Sequence, residues 1–213
     1  MTLYSYWRST TSFRVRAALN LKGLSYEIRP VDLLAGEQRA QSYAALNPSK
    51  GVPALVLDDG TVLTQSLAIL DYLETVHPAP RLLPVDPVAR ARVMAAAHVM
   101  ALDVHPVNNL RVVQHLQSDM GLGEDRILGW MRHWMTEGYR AFEPLIRPDT
   151  AFCFGARPDL ADLCLVAQTY NARRWGVDLA PYPKIRRVEA ACLALPEIAA
   201  AHPDQQPDAK VTT

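Results

Sequence analysis

The sequence lacks a surplus of charge: 22 Lys plus Arg balance 22 Asp plus Glu, so no long-range field marks a general nucleic-acid or polybasic membrane binder. It lacks long apolar runs as well, and none approaches the roughly 18 residues of a membrane span. The opening MTLYSYWRSTT has neither the basic region nor the apolar stretch of a signal peptide. Cysteine is scarce. Cys153, Cys164 and Cys192 are odd in number and contain no C-x-x-C spacing, which fits reduced thiols in a cytoplasm better than a disulfide framework or a zinc site. The six histidines show no metal spacing either: His98 and His105 stand about 10 Å apart along a helix, too far to share one ion. What is present is an ordinary globular composition, 49% apolar and 21% charged, over a length that allows one large domain or two small ones.

The two halves carry different patterns. From Thr2 to about Val76, strand and helix signals alternate: a strand over Leu3–Trp7, a helix over Ser12–Lys22 stopped by Gly23, and a strand over Tyr26–Val31. A short helix over Glu37–Leu46 and a hairpin of 54–57 with 61–64 around Asp58-Asp59-Gly60 follow, then a helix to Val76 with Ser66 as its N-cap. The order βαβ, helix, ββα describes a small four-stranded sheet with helices on its faces, and strand–helix–strand implies a right-handed parallel crossover. Pro78, Pro80, Pro84 and Pro87 mark a linker at 79–87. Beyond it only helical patterns occur: Val88 to Gln117 around an internal Pro106, Glu124 to Ile146, Leu160 to Arg174, Pro183–Leu193 and Pro196–Ala201, with a polar, frayed tail after His202. The expected division is therefore 1–78 and an all-helical 88–213.

Five places combine residues able to do chemistry. Arg8-Ser9-Thr10-Thr11-Ser12 lies where the first helix begins, so its hydroxyls and unpaired N–H groups suit an anion, a thiolate included, or simply cap the helix. Val52-Pro53 precedes a strand; a cis bond there turns the Val52 peptide groups outward toward a peptide-like ligand, and a trans bond makes Pro53 a plain strand-leading proline. Gln65-Ser66 opens the third helix and suits a carboxylate, or Ser66 is only a cap. Asp159 with Asp162 resembles a capping box. Along the helix it opens, the inward stripe Leu160, Leu163, Cys164, Ala167, Asn171 ends on Arg174. That arginine either meets an anion on the buried side or stabilises the helix C-terminus. His105-Pro106-Val107-Asn108-Asn109-Leu110-Arg111 is a kinked polar patch whose hydrogen-bonding side chains exceed what a proline gap requires.

Several of these stretches together identify a family. Tyr4-Ser5-Tyr6-Trp7-Arg8-Ser9, Arg14-Val15-Arg16, Ala45-Leu46-Asn47-Pro48, Val52-Pro53, Gln65-Ser66-Leu67-Ala68-Ile69, Leu160 to Val166, Asn171-Ala172-Arg173-Arg174 and Val177 to Pro183 resemble the zeta-class glutathione transferases, and within them the bacterial maleylacetoacetate isomerases. The resemblance covers essentially the whole chain. It implies a thioredoxin-like N-terminal domain, an all-helical C-terminal domain, a cytoplasmic homodimer, and glutathione as cofactor for a small keto-dicarboxylate substrate, with no nucleic-acid or membrane partner and no metal. By the same resemblance Ser9, Thr10 and Thr11 are catalytic and contact glutathione. Gln38, Val52, Pro53, Gln65, Ser66, His105, Asn109 and Arg111 also contact glutathione, and Arg8 and Arg174 hold substrate carboxylates. Many members carry Ser-Ser-Cys where this chain has Ser9-Thr10-Thr11, so a mechanism dependent on that cysteine is closed to it. The activity implied is cis–trans isomerisation of maleylacetoacetate to fumarylacetoacetate, in aromatic amino-acid breakdown, by reversible thiolate addition. The alternatives are the shorter maleylpyruvate, conjugation or dehalogenation of small electrophiles, and a non-catalytic binding module on the same fold.

Overall fold

The computed structural model describes residues 1–210. It divides into two compact units, 1–82 with 194–210 and 83–193.

The first unit is built on a four-stranded sheet of β1 (Thr2–Ser5), β2 (Glu27–Pro30), β3 (Ala54–Val56) and β4 (Val62–Thr64), in the order β2-β1-β3-β4. β1 runs parallel to β2 through the expected crossover, α1 (Thr10–Leu21), and antiparallel to β3. Register brings the ends together. Ala54 pairs with both Tyr4 and Thr64, so the residues following β1, preceding β3 and following β4 converge at one end of the sheet. Gly60 turns the β3–β4 hairpin with φ +87°, a value that glycine reaches without cost. α2 (Gln41–Leu46) and α3 (Ser66–Val76) complete the predicted order, and Leu3, Phe13, Leu19, Leu55, Ile69 and Leu73 form a fully buried core.

Two expectations for this unit need correction. Ser66 is the first helical residue of α3 and not its cap; the cap is Gln65, held at φ +67° and making no side-chain capping bond. The tail is not frayed through residue 210, the last three residues lying outside the described ones, and residues 194–210 cluster with the first unit instead of extending the helical half. α9 (Pro196–Ala201) packs on α1, because Ile198 and Ala201 need an apolar partner, and the Arg16 Nε donates to the Ala201 carbonyl at 3.0 Å. Gln206 folds the following residues back by donating to the carbonyls of Ala200 and His202. The start of the proline-rich segment is likewise fixed. The Lys22 ammonium, with no exposed side-chain surface, bonds Glu74 at 2.9 Å and the carbonyls of His77 and Pro80, while Glu74 accepts from the Leu82 N–H.

The second unit is helical: α4 (Pro87–His98), α5 (Leu110–Ser118), α6 (Glu124–Phe142), α7 (Leu160–Arg174) and α8 (Pro183–Leu193). The single helix expected from Val88 to Gln117 is broken into four pieces. After α4 the backbone widens to π geometry over Val99–Val104, with His105 N–H bonding back to Met100, then tightens to a 3₁₀ turn over Pro106–Asn108 before α5 starts. Pro106 cannot donate, and the wider turn ahead of it absorbs the mismatch. Gly138 of α6 lies directly against Val104, so close that any Cβ there collides with the valine methyl. α7 is buried on nearly every side, and its capping box is complete: Asp159 accepts from Ala161 and Asp162, and Asp162 accepts from Asp159 and Cys153. The three cysteines are buried and unbridged. No helix among the described residues is long and apolar enough to cross a membrane.

Candidate functional site

The converging ends of the sheet gather most of the candidate residues of the first unit. Ser9 caps α1: its extended backbone lets the side-chain oxygen accept from the Ser12 N–H at 3.2 Å. Thr11, the second residue of the helix, donates to the Val52 carbonyl at 2.7 Å and lies 2.8 Å from the Ser9 hydroxyl. Direction follows from valence. A carbonyl only accepts, so the single hydrogen of Thr11 goes to Val52, and Ser9 must donate to Thr11. Of the two Val52 peptide groups expected to face a ligand, the carbonyl already has Thr11 as a donor.

The Val52 N–H is aimed by its neighbours. It shares a peptide plane with the Gly51 carbonyl, which accepts from the Tyr43 hydroxyl at 2.6 Å and from Asn47 Nδ2 at 2.7 Å. In a trans peptide the two groups point opposite ways, so pinning the carbonyl fixes the N–H on the other side. Burial pushes the Tyr43 phenol up to about 12, which keeps it a donor across the working pH range. The next peptide, Val52–Pro53, is cis. The sequence left this isomer open.

Gln65 and Ser66 follow directly, brought beside Val52–Pro53 by the Ala54–Thr64 pairing. Because α3 has no side-chain cap, its first-turn N–H groups remain available to a carboxylate. Gln38, buried in a 3₁₀ turn, donates to Leu33 O, while its Oε1 has no donor among the described residues. Thr10 is buried in the first turn of α1. Arg8 extends from the β1–α1 turn over the rings of Tyr6 and Trp7, 5.9 and 5.5 Å from their centres. Two helix N-termini, one aimed backbone N–H and an orphan acceptor form a donor and acceptor set suited to a peptide bearing a carboxylate and a thiol. That is the chemistry of glutathione, and the residues fit it.

The other candidates belong to the second unit. His105 follows the π segment. Asn109 caps α5, accepting from the Val112 N–H, and Arg111 is exposed in the first turn of that helix. Arg174 is exposed, contrary to its expected buried side: α7 is buried all round up to Ala172, so its last residues emerge whatever face they occupy. Its guanidinium is nonetheless tethered, donating to Asn171 Oδ1 at 3.0 Å, and Asn171 Nδ2 donates to Asn108 Oδ1 at 3.3 Å. Asn108, buried at 5% exposure, is the partner that the sequence reading placed in a polar patch without assigning it a role. The reading also missed Asp208, whose carboxylate accepts from the Trp7 N–H at 2.9 Å. No local pattern announces that contact, which spans two hundred positions.

Residues 1–75 match the glutathione S-transferase N-terminal domain family. Over 210 residues, 98% of both chains, the sequence is 48% identical to the maleylacetoacetate isomerase of Pseudomonas aeruginosa. Among solved structures, a bacterial zeta-class maleylpyruvate isomerase in its holo form superposes with a TM-score of 0.96 at 45% identity, covering 99% of this chain and all of that one. The maleylacetoacetate isomerase of Methylobacterium extorquens, solved with malonate and glutathione bound, superposes at 0.95 with 42% identity over 99% of this chain and all of its own. The chain thus belongs to the zeta-class glutathione transferases, in the group of the maleylacetoacetate and maleylpyruvate isomerases.

Proposed function

We propose that this protein is a glutathione-dependent cis–trans isomerase that converts maleylacetoacetate to fumarylacetoacetate. The observation that carries the proposal is the peptide-binding edge beside the cap of α1: Val52 N–H aimed by Tyr43 and Asn47, next to the Ser9–Thr11 hydroxyl pair. Bound glutathione supplies a sulfur nucleophile that adds reversibly to the conjugated C=C bond, which is single long enough to rotate.

The chain's residues hold and tune that sulfur. A free thiol, with a pKa of about 8.5, is mostly protonated at neutral pH, so the site must favour the anion. The α1 N-terminus does so through its positive end, and Ser9 does so by turning its hydrogen from Thr11 toward the sulfur. Thr11 acts by positioning: it fixes the Val52 carbonyl and receives Ser9 in the resting arrangement. Val52 N–H pairs with the cysteinyl backbone of the tripeptide, the α3 N-terminus with Gln65 and Ser66 receives its γ-glutamyl carboxylate, and Gln38 accepts from one of its N–H groups. His105, Asn109 and Arg111 are assigned as further glutathione contacts on the family resemblance. Arg8 and Arg174 orient the substrate's carboxylates, with the Asn171–Asn108 pair holding Arg174 in place.

Work as a cytoplasmic homodimer in aromatic amino-acid breakdown belongs to the same reading, supported by unbridged cysteines and by the family resemblance that full-length similarity to a maleylacetoacetate isomerase bears out. Sedimentation at micromolar concentration tests the dimer. The activity is tested by mixing purified protein with maleylacetoacetate or maleylpyruvate, with and without glutathione, and following product geometry. Turnover that needs glutathione and returns it unconsumed is expected, with the higher kcat/KM on maleylacetoacetate. Turnover without glutathione, or none, refutes the reading; a preference for maleylpyruvate replaces the substrate and leaves the mechanism standing. The second substrate is a serious rival because a maleylpyruvate isomerase superposes so closely.

A further inference from the structure

The turn that carries Arg8 and leads into Ser9 is held from outside, and the holder is the C-terminal tail. Tyr6 to Ser9 form a turn closed by Ser9 N–H to Tyr6 O at 3.0 Å. Among the groups that this bond does not use are the N–H and the carbonyl of Trp7, itself buried. The N–H goes to Asp208 Oδ2 at 2.9 Å, and the carbonyl accepts from Arg16 Nη2, also at 2.9 Å. Arg16 is fully buried, and its other donors reach the Ser5 hydroxyl at 2.9 Å and Ala201 O at 3.0 Å. The bonds therefore close a ring: turn, Arg16, end of α9, tail, Asp208 and back to the turn. Gln206 draws the tail back onto the end of α9, and Lys210 fastens it beyond Asp208 by an ion pair with Asp32 at 2.9 Å.

We propose that Asp208 is a positioning residue for the Ser9 anion site: by accepting from the Trp7 N–H it fixes the turn that presents both the Ser9 hydroxyl and the Arg8 guanidinium. The role needs an acceptor at that point and not a negative charge. An aspartate near a site for a sulfur anion is electrostatically unfavourable, so its presence there is explained by geometry. A carboxylate accepting from a backbone N–H makes a shorter and stronger bond than a neutral acceptor, which suits a fixed turn. The proposal rests on the glutathione-site reading above and not on the identity of the isomerase substrate.

The test compares Asp208→Ala and Asp208→Asn with the parent chain. Glutathione affinity is measured by calorimetry, and the ionisation of the bound thiol by thiolate absorbance against pH, both without any isomerase substrate. Asp208→Ala is expected to weaken glutathione binding about three- to tenfold, the fold-change of one lost hydrogen bond, and to move the thiol ionisation to higher pH. Asp208→Asn keeps an acceptor oxygen and is expected to restore both to within about twofold, a rescue that a purely electrostatic role does not allow. Thermal melts of all three separate site geometry from general loosening. The proposal is overturned if Asp208→Ala binds and ionises glutathione like the parent, if it changes only the melting temperature, or if Asp208→Asn is as impaired as the alanine variant. A parent chain that binds no glutathione refutes the site reading itself, and this role with it.

Discussion

Replacing Thr11 with valine separates two roles that one hydroxyl plays. The side chains are nearly the same shape, so packing is preserved while both hydrogen bonds disappear. In the parent, Ser9 donates to Thr11 across 2.8 Å, and Thr11 donates to Val52 O across 2.7 Å. Each bond contributes about 0.5–1.5 kcal/mol net. To reach a sulfur, Ser9 must first leave Thr11, so the parent forgoes roughly 1 kcal/mol of thiolate stabilisation. In Thr11→Val that cost vanishes, and the bound thiol should ionise about 0.5–1 pH unit lower, one unit being 1.36 kcal/mol. The Val52 carbonyl meanwhile loses its donor, the aimed peptide loosens, and glutathione KM should rise about three- to tenfold. Thr11→Ser keeps both bonds and should track the parent. Absorbance titration of bound thiolate and steady-state kinetics with varied glutathione read the two effects independently. A thiol ionising at higher pH in Thr11→Val, or a serine variant matching the valine one, refutes the assigned bond directions.

Three further outcomes follow from the geometry. Asn47→Ala removes one of the two donors on Gly51 O and should raise glutathione KM about three- to tenfold with kcat little changed, because the carbonyl keeps Tyr43; a kcat defect at unchanged KM contradicts the aiming argument. Lys22→Met takes away the buried cation 2.9 Å from the Glu74 carboxylate, leaving the exposed Arg81 at 4.0 Å as a weaker counterion, and should cost up to about 3–5 kcal/mol in denaturant unfolding, whereas Lys22→Met combined with Glu74→Leu should cost less, since the buried carboxylate is gone. In the capping box, burial raises the carboxyl of Asp159 to about 9, with its neighbour Asp162 also raised. The folded chain then keeps a proton that the unfolded chain releases near pH 4. This contribution is complete below the unfolded value and is lost as pH rises toward 9, by up to about 1.4 kcal/mol per pH unit. Asp159→Asn should flatten that decline, and an unchanged slope in pH-dependent unfolding contradicts the retained proton.

Elements with a strong local signal were readable from the sequence alone. Gly23 and Gly60 punctuate the first unit at left-handed φ, and the Asp159–Asp162 pair announces α7 to the residue. α8 and α9, each opened by a proline, lie where expected. What was not readable depends mostly on partners far away in sequence. Thr11 holds the Val52 carbonyl, Asn108 meets Asn171 and Trp7 is held by Asp208, across 41, 63 and 201 positions; Tyr43 and Asn47 are near Gly51 in sequence, but their bonds end in a loop that no regular pattern describes. The π segment escaped for a related reason. Val99–Val104 looks helical residue by residue, and only the close approach of Gly138 to Val104 and the proline that follows distinguish it. Arg174 shows the limit of facing arguments, because a helix buried all round has no outward side to predict from.

The placement of α9 has a consequence for biosynthesis. A chain emerging from the ribosome completes its sheet by residue 64 and α3 by residue 76, yet the surface of α1 that α9 covers stays bare until nearly the whole polypeptide has been made. Early domains usually fold as they appear. Here the glutathione-binding half must wait, apolar face uncovered, through the synthesis of more than a hundred intervening residues. A gene fragment ending at residue 82 should therefore be poorly soluble, and one rejoined to residues 194–213 through a short linker should behave far better.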